Sequence, residues 1–380
     1  MKSVLIVAVL LVSVISCARP KWHELEGYTF EKYVSDFGRR YAKGSDEYAM
    51  REAIFNEKIA KMRAHNADTT QSWKKGVNMF TDMTATEWKQ YNRFKRSPTR
   101  SQPTQVVGTP SNEVLLPKEV DYRTWTSPRV LTAVKHQGSC GNCWSQSGVE
   151  SLEAYYALLT NMLPVFSTQQ MTSCTTVCYG CGGGDYVPGW EMVNASEHGL
   201  TEEWAYPFTN FFFNYSDPNA TTAACKNISK EYPARPYTWF AELNEVGVVG
   251  YGRVTMNSAK AAMHALATIG PQSISVAAGN WQDYETGVMT NTDAHGADNE
   301  WQIDHAVQMV GYGHDKELGK DYWIVRNSWS TLWGEQGYVR LDRPKDEPCS
   351  PDSFGPVCGV SGCLSDLAWP VVAKNDPVHF

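Results

Sequence analysis

The chain has no excess of positive charge: 34 Lys and Arg stand against 41 Asp and Glu, for a formal net charge of −7. No basic face gathers along it either, which argues against nucleic acid as a partner. It also has no internal repeat and no low-complexity tract, so neither a repeat array nor a disordered tail organises it. Beyond residue 18 it has no apolar run of spanning length. Once the N-terminus is removed, the protein is therefore expected to be soluble and free of the membrane. What remains is globular in composition, 42% hydrophobic and 20% charged. At 380 residues it is longer than one average domain and can bury a substantial core.

The start reads KSVLIVAVLLVSVISCA. One Lys precedes a short apolar run that ends in small residues, the layout of a secretory signal, with an uncleaved anchor as the alternative. Cleavage fits after Ser16 or after Ala18. The secretory route leads to a lysosome or vacuole, or to the cell exterior. Four N-x-[ST] sequons, at Asn194, Asn214, Asn219 and Asn227, agree with that route and mark their segment as surface. The route also sets how cysteines are read. Cys17 lies at the cleavage site, which leaves nine others between Cys140 and Cys363. In an oxidising compartment eight of them can pair, and one thiol is left over.

Along the chain, Ser45 is an N-cap candidate for a helix carrying Tyr48, Ile54, Phe55, Ile59 and Met62 at helical spacing, with charges between. FKRSPTRSQPTQVVGTPSNE, from Phe94 to Glu113, is rich in Pro, Ser and Thr and reads as an exposed linker and cleavage region. After it, Val149, Leu152, Tyr155, Tyr156 and Leu159 form a stripe that predicts a helix from about Cys143 toward Thr160. The C-terminal half changes character: QSISVAA, AVQMVGYG, DYWIVRNSW and GYVRLDR are short β-type runs between turn residues. A helical part followed by a strand-rich part predicts an α+β fold of two packed subdomains with a cleft between them.

KHQGSCGNCWSQSG, Lys135 to Gly148, holds two cysteines three positions apart and allows three readings. Cys140 and Cys143 with Cys178 and Cys181 spell a zinc-type C-x2-C…C-x2-C pattern, although the gap is wide and a helix begins at Cys143. CGNC opening a helix has the form of a disulfide-exchange motif, but the preceding residues supply no βαβ context. The third reading is a nucleophilic thiol. Its pKa must fall well below about 8.5, helped by a helix N-terminus and an imidazolium, and its oxyanion needs donors. Cys143 meets the first condition. His305 in QIDHAVQMVGYG, Asn327 in YWIVRNSWSTLWGEQGYVRL, and Gln137 just upstream are candidates for the rest.

QGSCGNCW, DHAV…GYG and NSW…WGE.GY together, in that order, resemble the papain family of cysteine proteases. The resemblance implies a papain-like fold: a helical left half, a β-barrel-like right half, and an active-site cleft between them. It makes Cys143 the nucleophile, His305 the general acid/base, Asn327 the group that orients the imidazole, and Gln137 part of the oxyanion hole. Trp329 would shield the His–Asn hydrogen bond and line the cleft. Gly183 and Gly184 match glycines whose backbone pairs with extended substrate. Asp185 stands where an aromatic often lines the specificity pocket, which implies a preference for a basic or polar side chain. The resemblance also implies bridges Cys140–Cys181 and Cys174–Cys225, with Cys178, Cys349, Cys358 and Cys363 left for two more.

The N-terminal part resembles the family's inhibitory prodomain. Glu47, Arg51, Phe55 and Asn66 fit its interrupted helical motif, while Lys58 and Met62 depart from it. Gly76, Asn78, Phe80 and Asp82 complete the next motif. Other departures are Asn142, Ser145 and Gln146 near the thiol, and Ser330 where Gly usually follows the Trp. The expected division is signal 1–18, inhibitory prodomain and linker 19–110, and peptidase domain 111–380. The expected protein is a monomeric endopeptidase acting on proteins or peptides through an acyl-thioester, inhibited by its own prodomain, with no metal or organic cofactor. A protease-like binding protein and an exopeptidase are the alternatives.

Overall fold

In this computed structural model the described residues are 19–111, 115–196, 199–215, 217, 220–226, 246–290, 302–351 and 355–374. The signal-type segment and the sequons at Asn219 and Asn227 lie outside them; Asn194 and Asn214 are exposed.

The N-terminal part is α1 (Phe30–Asp36), α2 (Asp46–Ala67), β1 (Trp73–Lys75) and α3 (Ala85–Tyr91). Ser45 caps α2, its hydroxyl accepting from the Tyr48 N–H at 3.2 Å. The buried stripe of α2, Tyr48, Phe55, Ile59 and Met62, packs on Leu25, Phe30, Tyr33 and Val77 as a small separate core. Arg51 reaches from α2 to the Glu87 carboxylate on α3, with Nη2 2.6 Å from Oε1. Asn66 holds β1 through paired 2.8 Å bonds to the backbone of Lys75. Lys58, one of the departures from the motif, donates to the carbonyls of Phe80 at 3.1 Å and Met83 at 3.3 Å, so it ties α2 to the following turn.

There follow β2 (Gln105–Val107), β3 (Val120–Asp121), α4 (Cys143–Thr160), α5 (Thr168–Cys174), α6 (Tyr186–Ala195), β4 (Val246–Val254) and α7 (Ala259–Thr268). The strand-rich half is β5 (Gln272–Val276), β6 (Tyr284–Met289), β7 (His305–Asp315), β8 (Lys320–Arg326), β9 (Tyr338–Asp342), the short pair β10 (Cys349–Ser350) and β11 (Val357–Cys358), and β12 (Leu367–Lys374). The main sheet is mixed, in the order β1-β6-β9-β8-β7-β5-β12-β4-β2, with β3 paired to β7. Among the described residues it stays open, so the right half is a curved sheet and not a closed barrel. Both edge strands come from segments N-terminal to residue 111, so these segments cover backbone that would otherwise be exposed. At one of these edges Gly76 donates to the Asp283 carbonyl at 2.8 Å, and a Cβ there would meet the Glu285 carboxylate at 1.9 Å, so any other residue would have to displace the Glu285 side chain.

α4 begins at Cys143 as its stripe predicts, but it is buried on every side from Cys143 to Ala157, while Leu159 is exposed. It lies between α5 and α6 on one side and β7 and β12 on the other. Several of its polar residues find partners there: Ser147 donates to the Val307 carbonyl at 2.8 Å, and Glu153 pairs with Lys135 at 2.8 Å.

Two expectations change. Residues 94–113 do not form an exposed linker throughout. Phe94 and the Arg100 side chain are buried and β2 pairs with β4, because an aromatic ring and a guanidinium in this stretch find partners across the fold. The cysteines form three bridges, Cys140–Cys181, Cys174–Cys225 and Cys349–Cys358. Among the described residues Cys143, Cys178 and Cys363 are free thiols, so three remain and not one. Cys178 and Cys363 pack in different hydrophobic clusters, which removes the fourth pairing.

Candidate active site

Cys143 is the first residue of α4, where unpaired N–H groups and the helix dipole favour negative charge. Cys140, three residues earlier, is bonded to Cys181, so the two pairs of the zinc reading do not form one ligand set. The Cys143 thiol is fully buried. Burial pushes it up to about 11, while backbone hydrogen bonds from Ala306 and Arg93 pull the other way.

Ala306 follows His305 at the start of β7, so helix and sheet bring the thiol and the imidazole to one seam. His305 Nε2 lies 2.8 Å from Asn327 Oδ1 at the end of β8. That same oxygen accepts from the Ser328 N–H at 2.8 Å, which identifies it as the acceptor end of the amide. Nε2 therefore carries a proton, and Nδ1, buried and without a hydrogen-bond partner among the described residues, has a free lone pair. Trp329 stacks on the imidazole at 4.7 Å and seals it from water. Burial pulls His305 down to about 4, outweighing the hydrogen bond that it donates to Asn327. Thiol and imidazole are thus both neutral, since neither charge is stable in a covered site.

The cover is the N-terminal part. Phe80 and Trp88 set their ring edges on Trp329, at 5.6 and 5.0 Å. Gln137 donates its side-chain amide to the Tyr91 carbonyl at 2.9 Å and accepts from the Ser328 hydroxyl at 2.8 Å. Phe94 packs in the same cluster as Cys143, with its N–H on the Asp304 carbonyl at 2.7 Å. The Lys95 N–H donates to the Gly184 carbonyl at 2.9 Å, and the Gly184 N–H to the Arg93 carbonyl at 3.3 Å. Gly183 sits at φ 115°, and a Cβ there would meet the Arg93 carbonyl at 2.3 Å. The covering chain thus runs from Trp329 past Gln137 and Cys143 to Gly184.

Asp185 is not open to solvent. It caps α6, accepting from the Val187 N–H at 3.0 Å, and holds the Arg100 guanidinium with Nε 2.6 Å from Oδ2. Asn142 and Gln146, the departures beside the thiol, bond to each other at 3.4 Å, and Asn142 reaches Thr172 at 2.9 Å.

Sequence reasoning missed Tyr91, Arg100, Asp366 and Tyr215. The Tyr215 hydroxyl, from the sequon-bearing segment, donates to the Cys181 carbonyl at 2.5 Å and accepts from the Gly141 N–H at 2.7 Å, bracing the loop before the thiol. The unusual run of aromatics around it was the one available signal.

The description "Papain family cysteine protease" matches residues 116–355, and "Cathepsin propeptide inhibitor domain" matches residues 30–88. Cathepsin L of Sarcophaga peregrina is 30% identical over 369 residues, covering 92% of this chain and 97% of the relative. Ananain of Ananas comosus is 29% identical, covering 92% of this chain and 89% of its own length. Among solved structures, a recombinant stem bromelain precursor superposes with a TM-score of 0.69 at 28% identity, covering 90% of this chain and 97% of that one. Digestive procathepsin L 3 of Tenebrio molitor gives 0.68 at 26% identity, with 90% and 99% covered. With the papain-family match running over most of the chain and the inhibitor match lying before it, this chain belongs to the papain family of cysteine proteases, carrying a propeptide inhibitor domain in front of its peptidase.

Proposed function

We propose that the protein is a cysteine endopeptidase made as a latent precursor, with a signal over 1–18, a prodomain and linker over 19–110, and the peptidase over 111–380. In the uncovered enzyme, His305 Nδ1 takes the proton of Cys143, and the thiolate attacks the peptide carbonyl. The oxyanion is held by the Gln137 amide and the Cys143 N–H. His305 then protonates the leaving amine, water hydrolyses the thioester, and Asn327 keeps the ring aligned.

The observation that carries this reading is the Gln137–Tyr91 contact: a peptide carbonyl rests on the proposed oxyanion donor, where a substrate carbonyl would be polarised. Endopeptidase action is supported by the continuous passage of the covering chain from Trp329 to Gly184, since a cleft that takes a chain through needs no free terminus. Protein and peptide substrates and a monomer acting along the secretory route follow from this reading.

The test is activation of the full-length precursor, followed by titration with an epoxide thiol-protease inhibitor and digestion of an unfolded protein. Internal fragments and loss of labelling in Cys143→Ala support the reading. Release of only terminal residues would make it an exopeptidase, and no labelling at Cys143 would leave a protease-like binder.

A further inference from the structure

Arg100 lies between the two family matches, after residue 88 and before residue 116. Its side chain is 8% exposed, held between Asp185 at 0% and Asp366 at 2%. Four hydrogen bonds hold the fork. Nε and Nη2 meet the Asp185 oxygens at 2.6 and 2.8 Å, and Nη1 and Nη2 meet those of Asp366 at 2.9 and 2.8 Å. Tyr186 completes the slot: its hydroxyl donates to Asp366 at 2.8 Å, and the Arg100 guanidinium carbon lies 5.2 Å from its ring centroid. The same ring stacks on Phe94 at 5.5 Å, and Phe94 shares a cluster with Cys143. The slot is therefore one aromatic ring away from the pocket beside the thiol.

Both carboxylates belong to the peptidase part, and the guanidinium belongs to the segment that the proposed maturation removes. The cations acting most strongly on Asp366, Arg100 and Arg96, leave together. Two neighbouring buried carboxylates then face a vacated slot shaped for a planar, five-donor cation, which a lysine ammonium cannot match.

We propose that Asp185 and Asp366 form a guanidinium-binding subsite of the mature peptidase, filled by Arg100 in the precursor and by an arginine side chain of the peptide substrate afterwards. The proposal rests on the endopeptidase reading for its substrate, but not for the guanidinium site itself.

The test has two arms. Precursor matured from the full chain is profiled with a positional library of peptide substrates. One position should favour Arg over Lys and over Leu, and Asp366→Asn should lower the Arg-to-Leu ratio of kcat/KM there by about 10- to 100-fold. An active enzyme with no position favouring Arg, or with the same ratio in Asp366→Asn, overturns the proposal. The second arm needs no activity. The full-length Arg100→Ala precursor should regain melting temperature in millimolar methylguanidinium but not in methylammonium, and the Arg100→Ala/Asp366→Asn double variant should not. If Arg100→Ala does not fold, Arg100→Gln takes its place. Absence of rescue overturns the site. Rescue without any peptidase activity overturns the endopeptidase reading and keeps the guanidinium site.

Discussion

The side-chain amide of Gln137 donates to the backbone carbonyl of Tyr91 at 2.9 Å, so the proposed oxyanion donor is occupied by the chain that covers the site. On the proposed reading the same amide is covered in the precursor and holds the oxyanion in the mature enzyme. Its second bond, to the Cys140 carbonyl at 3.0 Å, fixes the amide in place for either partner. Gln137→Ala should lower kcat by about 100- to 1000-fold with KM little changed, as for loss of one preorganised donor. Steady-state kinetics on the matured variant, normalised by epoxide titration, give the split; a loss confined to KM would assign Gln137 to ground-state binding.

Thiol chemistry should separate precursor from mature enzyme. In the precursor Cys143 is pushed up to about 11, Cys178 up to about 12, and Cys363 well above its ordinary value, all by burial. Iodoacetamide at neutral pH should therefore label none of the three in the native precursor and all three after unfolding without reductant. After maturation, Cys143 alone should react fast. Mass spectrometry of the alkylated peptides reads this out, and rapid labelling of Cys143 in the intact precursor would show that its cover is open.

What was legible in the sequence was local. Ser45 and the apolar spacing after it marked α2, because a cap and a stripe are written within one helix. Cys143 could be placed at a helix start for the same reason, and its partners His305 and Asn327 came from compact strand-end motifs. Arg100 left no such trace. It lies in a Pro- and Ser-containing stretch that reads as linker, and its partners Asp185 and Asp366 are 85 and 266 positions away. Tyr215 and Gly141 are separated by 74 positions, and only the fold brings them together. The missing fourth bridge has the same origin: cysteine parity counts thiols, but packing decides which of them meet.

The Arg100 clamp should have its own acid limit. Burial pushes both carboxyls up, but for Asp366 the charge and hydrogen bonds of Arg100 win and hold it at about 2, whereas Asp185 ends above its ordinary value. Asp366 is depressed, so its contribution is complete above its unfolded value near 3.8 and is lost as pH falls through about 2. Asp185 takes its proton first. The melting-temperature advantage of the wild-type precursor over Arg100→Ala should hold at neutral pH, shrink as Asp185 titrates, and vanish near pH 2. An advantage that persists below that pH would mean that Arg100 acts through packing alone.

Ser330 occupies the left-handed region at φ 69°, directly after the Trp329 ring that stacks on His305. A side chain there costs about 1 kcal/mol in backbone strain, which is the physical reason the resemblance leads one to expect glycine. Two bonds offset part of that cost: the Ser330 N–H donates to the Lys135 carbonyl at 3.0 Å, and its hydroxyl accepts from the Leu332 N–H at 3.2 Å. Glycine keeps the first and gives up the second, whose donor is near solvent, while the greater freedom of the unfolded chain takes back part of the gain. Ser330→Gly should stabilise the protein by about 0.5 kcal/mol, and Ser330→Val should destabilise it by about 1–2 kcal/mol, because a β-branched residue tolerates positive φ least. Urea unfolding of the three precursors gives the order. If valine is tolerated as well as serine, the turn holding Trp329 is not under strain, and the indole is held by its aromatic neighbours alone.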